Sequence, residues 1–197
     1  MILRQQKMDI VRYQKFVNKS SIFPRSTQGR NLSYLVMGMV EEVGEIYEFV
    51  LKQDSLDGNH PQHNILSKYL QEQINKELGD LMWYITAICN EMNYPLSHLI
   101  QYTKVKNDMM KENLNMKLIL YLGEISGAVK KLIRDDNEVL TNNKKNVITT
   151  NLCYILSFIL QLCNNNKISL GKIVEINANK IKNRIKNNTI HGSGNDR

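Results

Sequence analysis

Apolar residues recur about every 3.6 positions through long stretches of the chain, and short polar stretches separate them, the pattern of amphipathic helices. Two stripes are clearest: Val36, Met39, Val43, Ile46 and Val50, then Leu78, Leu81, Ile85, Ile88 and Met92. Followed along the chain, the pattern predicts helices over about residues 7–19, 31–53, 65–93, 96–111, 114–134, 144–164 and 169–187. Pro24, Pro61 and Pro95 each fall between two of these stretches, where the lack of an amide N–H does least harm. The connecting segments, Lys19 to Arg30, Gln53 to His63 and Asp135 to Lys145, are polar. No segment alternates with the two-residue period of a strand, so the expected fold class is all-α.

The two halves of the pattern echo each other. Val43-Gly44-Glu45-Ile46 is matched by Leu122-Gly123-Glu124-Ile125, and Asp80-Leu81-Met82-Trp83-Tyr84-Ile85 by Asn151-Leu152-Cys153-Tyr154-Ile155-Leu156. The next helix continues the match, with Pro95-Leu96-Ser97 against Ser169-Leu170-Gly171. Two related helical units are expected, over about residues 1–112 and 113–197.

Composition narrows the class without choosing the chemistry. At 197 residues and 42% hydrophobic, the chain can bury a substantial core. Met1 to Tyr13 lacks the apolar run of a secretory signal, which suggests an intracellular, cytoplasmic protein. Leu152 to Cys163, broken by Ser157 and Gln161, is shorter than the roughly 18 residues of a membrane span and reads as a buried helix. Cys89, Cys153 and Cys163 form no C-x-x-C pair and sit in apolar runs, as reduced core thiols do. A net charge of +7 suits an anionic partner, whether a small phosphorylated ligand or nucleic acid.

The acidic residues sharpen that choice. Glu42 and Glu45 are three apart, as are Glu77 and Asp80, so each pair projects from one side of its helix, with Glu77, Asp80 and Glu42 beside the apolar stripes and Glu45 further round. Packing the stripes together brings four carboxylates into one cleft. Their mutual repulsion would raise their pKa values unless a cation compensated it. All-oxygen ligation selects a hard divalent ion, magnesium or manganese, which can also bridge substrate phosphates. Acids spaced in this way also occur on plain solvated helix faces. Neither a P-loop nor a nucleophile elbow is present, and His60, His63 and His98 lie in loop or helix-start contexts that need no catalytic role.

Glu41-Glu42-Val43-Gly44-Glu45, followed by Glu77-Leu78-Gly79-Asp80-Leu81-Met82-Trp83-Tyr84, resembles the E-x-x-E and E-x-x-D signature of the MazG-like all-α nucleoside triphosphate pyrophosphohydrolases, relatives of dCTP pyrophosphatases and dimeric dUTPases. Tyr13-Gln14 and Gly29-Arg30-Asn31-Leu32 are similar to segments ahead of that signature. Asn177, Lys180 and Arg184, then the Gly-rich close that includes His191, resemble the family's tail. The tail stands in the second half, whereas the first half has Thr103, Lys106 and Met110 there. Conversely, the second half has Tyr121, Ile148 and Asn151 in place of Glu42, Glu77 and Asp80, and keeps only Glu124 opposite Glu45.

The resemblance therefore implies a fused pseudo-dimer with one surviving site and an MazG-like helical bundle. It places metal ligands at Glu42, Glu45, Glu77 and Asp80, with Glu45 also orienting or deprotonating the attacking water, and Glu41 as an additional acid. Tyr84, Lys180 and Arg184 would contact the nucleotide, the two cations through its phosphates. Expected partners are magnesium, or manganese in its place, and a nucleoside triphosphate, and the chain could pair into a homodimer of pseudo-dimers. Two other classes compete: a nucleotide-binding module without turnover, and a nucleic-acid binder using Lys172, Lys180, Lys182, Arg184, Lys186 and Arg197. The tail has no interleaved aromatic residues to favour the last.

Overall fold

A computed structural model describes residues 8–23, 31–106 and 114–189. Pro24, Gly29, Arg30, Met110, His191 and Arg197 lie outside the described residues. Among those described there are seven helices and no strand, as the apolar periodicity predicts: α1 (Ile10–Ser20), α2 (Leu32–Asp54), α3 (His63–Glu91), α4 (Leu96–Lys106), α5 (Leu114–Asp135), α6 (Asn142–Asn165) and α7 (Leu170–Lys186).

The helix ends follow from local chemistry. Asp9, Thr141 and Ser169 cap α1, α6 and α7, each side chain accepting from the amide three residues on. At the other end, α3, α6 and α7 stop in the same way. Asn93, Lys167 and Asn188 adopt positive φ, and the next amide (Tyr94, Ile168 or Thr189) donates back to Cys89, Cys163 or Arg184 respectively.

α3 is the axle of the molecule. It packs on α2, α7, α1 and α6, and Leu78, Leu81, Met82, Ile85, Ile88 and Cys89 are fully buried along it. α2 and α3 form an antiparallel hairpin closed at one end by Asn31, whose Nδ2 donates to Glu91 Oε1 at 3.2 Å. α5 and α6 form a second hairpin, and α2 lies along α5. The remaining two helices cross over: α4 packs on α6, while α7 packs on α3. α1 bridges the halves by touching α3, α4 and α7. Its Gln14 accepts from the Leu96 amide at 2.9 Å and donates to the Tyr94 carbonyl at 2.9 Å, which fixes the start of α4.

α6 is long and apolar enough to cross a membrane by composition, but half of its apolar window is buried against the rest of the fold. Ile155, Leu156, Phe158 and Ile159 are among its buried residues. The expectation of a core helix around Leu152 to Cys163 is met. The three cysteines are buried and outside any disulfide, and burial pushes the Cys89 thiol up to about 12 and the Cys163 thiol up to about 11.

Close approach of α7 to α3 depends on Gly79. A Cβ there would lie 2.9 Å from Asn177 Cβ and 3.5 Å from the Ile173 carbonyl oxygen. A Cβ at Gly44 on α2 would meet nothing within 4 Å. Alanine at the two positions should therefore act with opposite sign. Gly44→Ala is expected to raise stability by about 0.5–1 kcal/mol through helix propensity. Gly79→Ala should lower it by about 1 kcal/mol or more, because overpacking outweighs the same propensity gain. Urea midpoints of the two variants check this.

Candidate functional site

The α2–α3 hairpin brings the two acidic pairs face to face. Glu42, Glu45 and Glu77 present carboxylate oxygens that lie within 4.8 Å of one another. Glu77 is fully buried, Glu42 is half-buried, and Glu45 is the most open of the three. The apolar stripes place them: Val43 and Ile46 flank the first pair and Leu78 and Leu81 the second, all buried, so the acids stand at the edge of the hairpin's core.

Asp80, the fourth predicted ligand, faces the same cleft but is held from the opposite side. Its Oδ1 accepts a hydrogen bond from Asn177 Nδ2 at 2.6 Å, and its Oδ2 pairs with the Lys180 ammonium. Both partners come from α7, where spacing of three puts them on one face. Behind Asn177, the Tyr13 hydroxyl donates to Asn177 Oδ1 at 2.7 Å. Tyr13 and Asn177 are buried, and burial together with the nearby Asp80 charge raises the Tyr13 pKa well above that of a free phenol, so it remains a donor.

Electrostatics record the crowding. Burial, then the charges of Asp80, Glu45 and Glu77, push the Glu42 carboxyl up to about 9, with Lys180 pulling the other way. A cluster of this kind needs an added cation to be fully ionised near neutral pH. Its donors are all carboxylate oxygens, they converge within one ion's reach, and they suit a hard divalent cation. The residues present fit a metal centre, and Glu42, Glu45 and Glu77 with Asp80 beside them would hold it.

Next to the acids is a cavity of about 170 Å³ lined by Ser20, Ile22, Tyr34, Glu42, Asp80, Trp83, Tyr84, Ile181 and Arg184. It has acids at one wall, a cation from α7 at another and aromatic rings at a third. Tyr84 sits edge-on to Trp83 at 5.1 Å, and Trp83 edge-on to Phe23 at 6.1 Å. Gly38, one turn before Glu42, makes room for Tyr84: a Cβ there would fall 2.2 Å from the ring. All seven predicted site residues thus border one region: Glu42, Glu45, Glu77, Asp80, Tyr84, Lys180 and Arg184. Lys180 meets Asp80 in this structure.

The other sequence candidates lie elsewhere. His60 and His63 close their own loop, accepting from the Gln62 amide and contacting the Asp57 carbonyl. His98 packs edge-on to Tyr94. Among the basic residues of α7, Lys172 pairs with Glu175 at 2.9 Å and Lys182 lies over the Phe16 ring. Sequence reasoning assigned no role to Tyr13, Asn177 or Gly38, although the first two stand inside segments it had singled out.

At the positions aligned with the acids, the second half is different. Ile148 is buried, Asn151 donates to the Val147 carbonyl of its own helix, and Tyr121 stacks on Tyr154 at 4.4 Å.

Comparison with known proteins agrees with the geometry. Residues 30–111, which contain α2, α3 and α4, match the family described as MazG nucleotide pyrophosphohydrolase domain. The Gene 37 protein of Mycobacterium phage L5 is 32% identical over 82 residues, covering 42% of this chain and 72% of that protein. No solved structure matches the chain. With both acidic motifs inside the matched segment and converging on one cleft of a helical bundle, the chain belongs to the MazG nucleotide pyrophosphohydrolase family.

Proposed function

We propose that the chain hydrolyses a nucleoside triphosphate, ribo- or deoxyribo-, to the monophosphate and pyrophosphate at a magnesium centre held by Glu42, Glu45, Glu77 and Asp80. The observation that carries this reading is the convergence of three carboxylates within 4.8 Å beside a cavity that has both a cation and aromatic walls. Magnesium bound there would supply charge neutralisation and a polarised water. Glu45, the most open acid, accepts the proton of the attacking water. The water oxygen bonds to the α-phosphorus, the bond from that phosphorus to the β-bridging oxygen breaks, and pyrophosphate leaves. Arg184 binds phosphate oxygens through its planar fork and Lys180 as a point charge, absorbing negative charge that develops on them. Tyr84, set in the space left by Gly38, packs against the nucleoside.

This reading is favoured over a nucleic-acid surface because Lys172 and Lys182 are engaged with neighbours in their own fold. It also includes a duplicated origin for the chain. Val40, Val43, Gly44 and Tyr47 line one side of the groove between α2 and α5, and Ile119, Leu122, Gly123 and Ser126 line the other. The motif alignment makes these four pairs equivalent, and the crossed packing of α4 on α6 and α7 on α3 has the same symmetry. In this arrangement the first unit supplies the acids and the second supplies the cations.

Pyrophosphate release measured across a panel of ribo- and deoxyribonucleoside triphosphates with magnesium tests the proposal. Glu77→Gln should lower the rate by at least about a hundredfold, the upper range for losing a group that merely supports a ligand. No release from any nucleotide by the folded native chain would point instead to a binding module.

Metal uptake should also depend on pH. Glu42 has its carboxyl raised from 4.5 to about 9, so the stability it contributes is full below 4.5 and is lost as pH rises through 9 in the metal-free chain. A divalent ion must displace that proton. Mn²⁺ affinity is expected to rise from neutral pH toward 9, by up to about tenfold per unit, with proton release visible by calorimetry in buffers of different ionisation enthalpy.

Gly38→Ala would displace the Tyr84 ring while leaving the helix sound. It should raise KM by about fivefold or more, the worth of one aromatic contact to a base, with a smaller change in kcat. A steady-state comparison with Tyr84→Ala provides the check.

A further inference from the structure

Both carboxylate oxygens of Asp80 are engaged by another helix, α7. The arrangement on its Oδ1 is directional. Tyr13 is a buried phenol, and its O–H donates to Asn177 Oδ1. That contact fixes which end of the Asn177 amide faces α1, so its NH₂ group points at Asp80. The chain of contacts runs through three helices, α1 to α7 to α3, and the positions joined are 164 and 97 residues apart in sequence. Gly79, the residue before Asp80, has no Cβ to obstruct it, and the closest atom to the missing group is Asn177 Cβ at 2.9 Å.

The other half of the molecule provides an internal comparison. The motif alignment pairs Asn151 with Asp80 and Thr103 with Asn177. Thr103 is as deeply buried as Asn177, yet its hydroxyl donates to Leu99 in its own helix at 2.8 Å, and Asn151 likewise bonds to Val147. Where the acid is missing, no side-chain bond joins the aligned pair, Asn151 and Thr103, among the described residues. A buried polar residue at this position can be satisfied locally, so the Tyr13–Asn177–Asp80 chain is more than a solution to burial.

We propose that Asn177 and Tyr13 are positioning residues for the metal centre: they form a relay that fixes the orientation of the Asp80 carboxylate beside the acids of α2. The inference rests on the reading of that cluster as a metal site. Groups that hold a ligand in orientation affect metal affinity strongly even though they never touch the ion, by about 10–100-fold.

Mn²⁺ affinity, measured by calorimetry or by electron paramagnetic resonance on the full chain without nucleotide, is the test. Tyr13→Phe removes one hydroxyl and should weaken Mn²⁺ binding by about tenfold. Asn177→Thr installs the residue type found at the aligned position and should weaken it at least as much, and either variant alone suffices if the other does not fold. Thr103→Val, the control, should reduce thermal stability and leave Mn²⁺ affinity at the native value. Native affinity in Tyr13→Phe and Asn177→Thr, with only their thermal stability lowered, would overturn the relay and leave the hydrolase reading intact. Weakened Mn²⁺ binding in a chain whose native form releases no pyrophosphate would support the relay and overturn the hydrolase reading.

Discussion

The fold is organised around the cost of placing carboxylates where water cannot fully solvate them. Glu77 is completely buried on the most deeply packed helix of the molecule, within reach of Glu42 and Glu45. Like charges in that setting destabilise one another, and the protein answers in two ways. One carboxyl, Glu42, keeps its proton to about pH 9 when no metal is present. Another, Asp80, is drawn toward α7, where an ammonium and an amide neutralise and orient it. In the reading proposed above, the space between the acids and the α7 cations takes a ligand that is positively charged on one side and negatively charged on the other, as a metal–nucleotide complex is.

This division of labour explains why α7 packs where it does. Gly79 permits the approach, Ile173 and Val174 bury the contact, and Asn177 and Lys180 on one face of α7 reach the acid. Apolar packing sets the distance between the helices, and the polar pair sets the register. The aligned helix of the first half, α4, packs on α6, and there Thr103 turns its hydroxyl to Leu99 of its own helix.

Much of this was legible in the sequence, for identifiable reasons. Seven helices follow from a period that long amphipathic stretches enforce, and Leu78, Leu81, Ile85, Ile88 and Met92 are buried as their spacing requires. The convergence of Glu42, Glu45 and Glu77 follows from acids at helical spacing beside stripes that must meet. What stayed hidden depends on contacts between distant segments. Nothing local in Tyr13 shows that its hydroxyl ends on Asn177, and nothing in Gly38 shows that an aromatic ring fills its missing side chain. The partial signal was the spacing of Asn177 and Lys180, which puts an amide and an ammonium on one helical face; its target, Asp80, is set by tertiary packing alone.

The distance in sequence between Asp80 and its partners also has a consequence for synthesis. Asn177 and Lys180 follow Asp80 by 97 and 100 residues, so a ribosome has made α2 and α3 well before α7 exists. A nascent hairpin of those two helices holds its acids with no ammonium opposite them and with one side of α3 bare. Emergence of α7 both covers that apolar side and supplies the opposing charge. In the hydrolase reading proposed above, the site is complete only once α7 has joined α3, and a half-made chain has the acids without the ammonium that faces them.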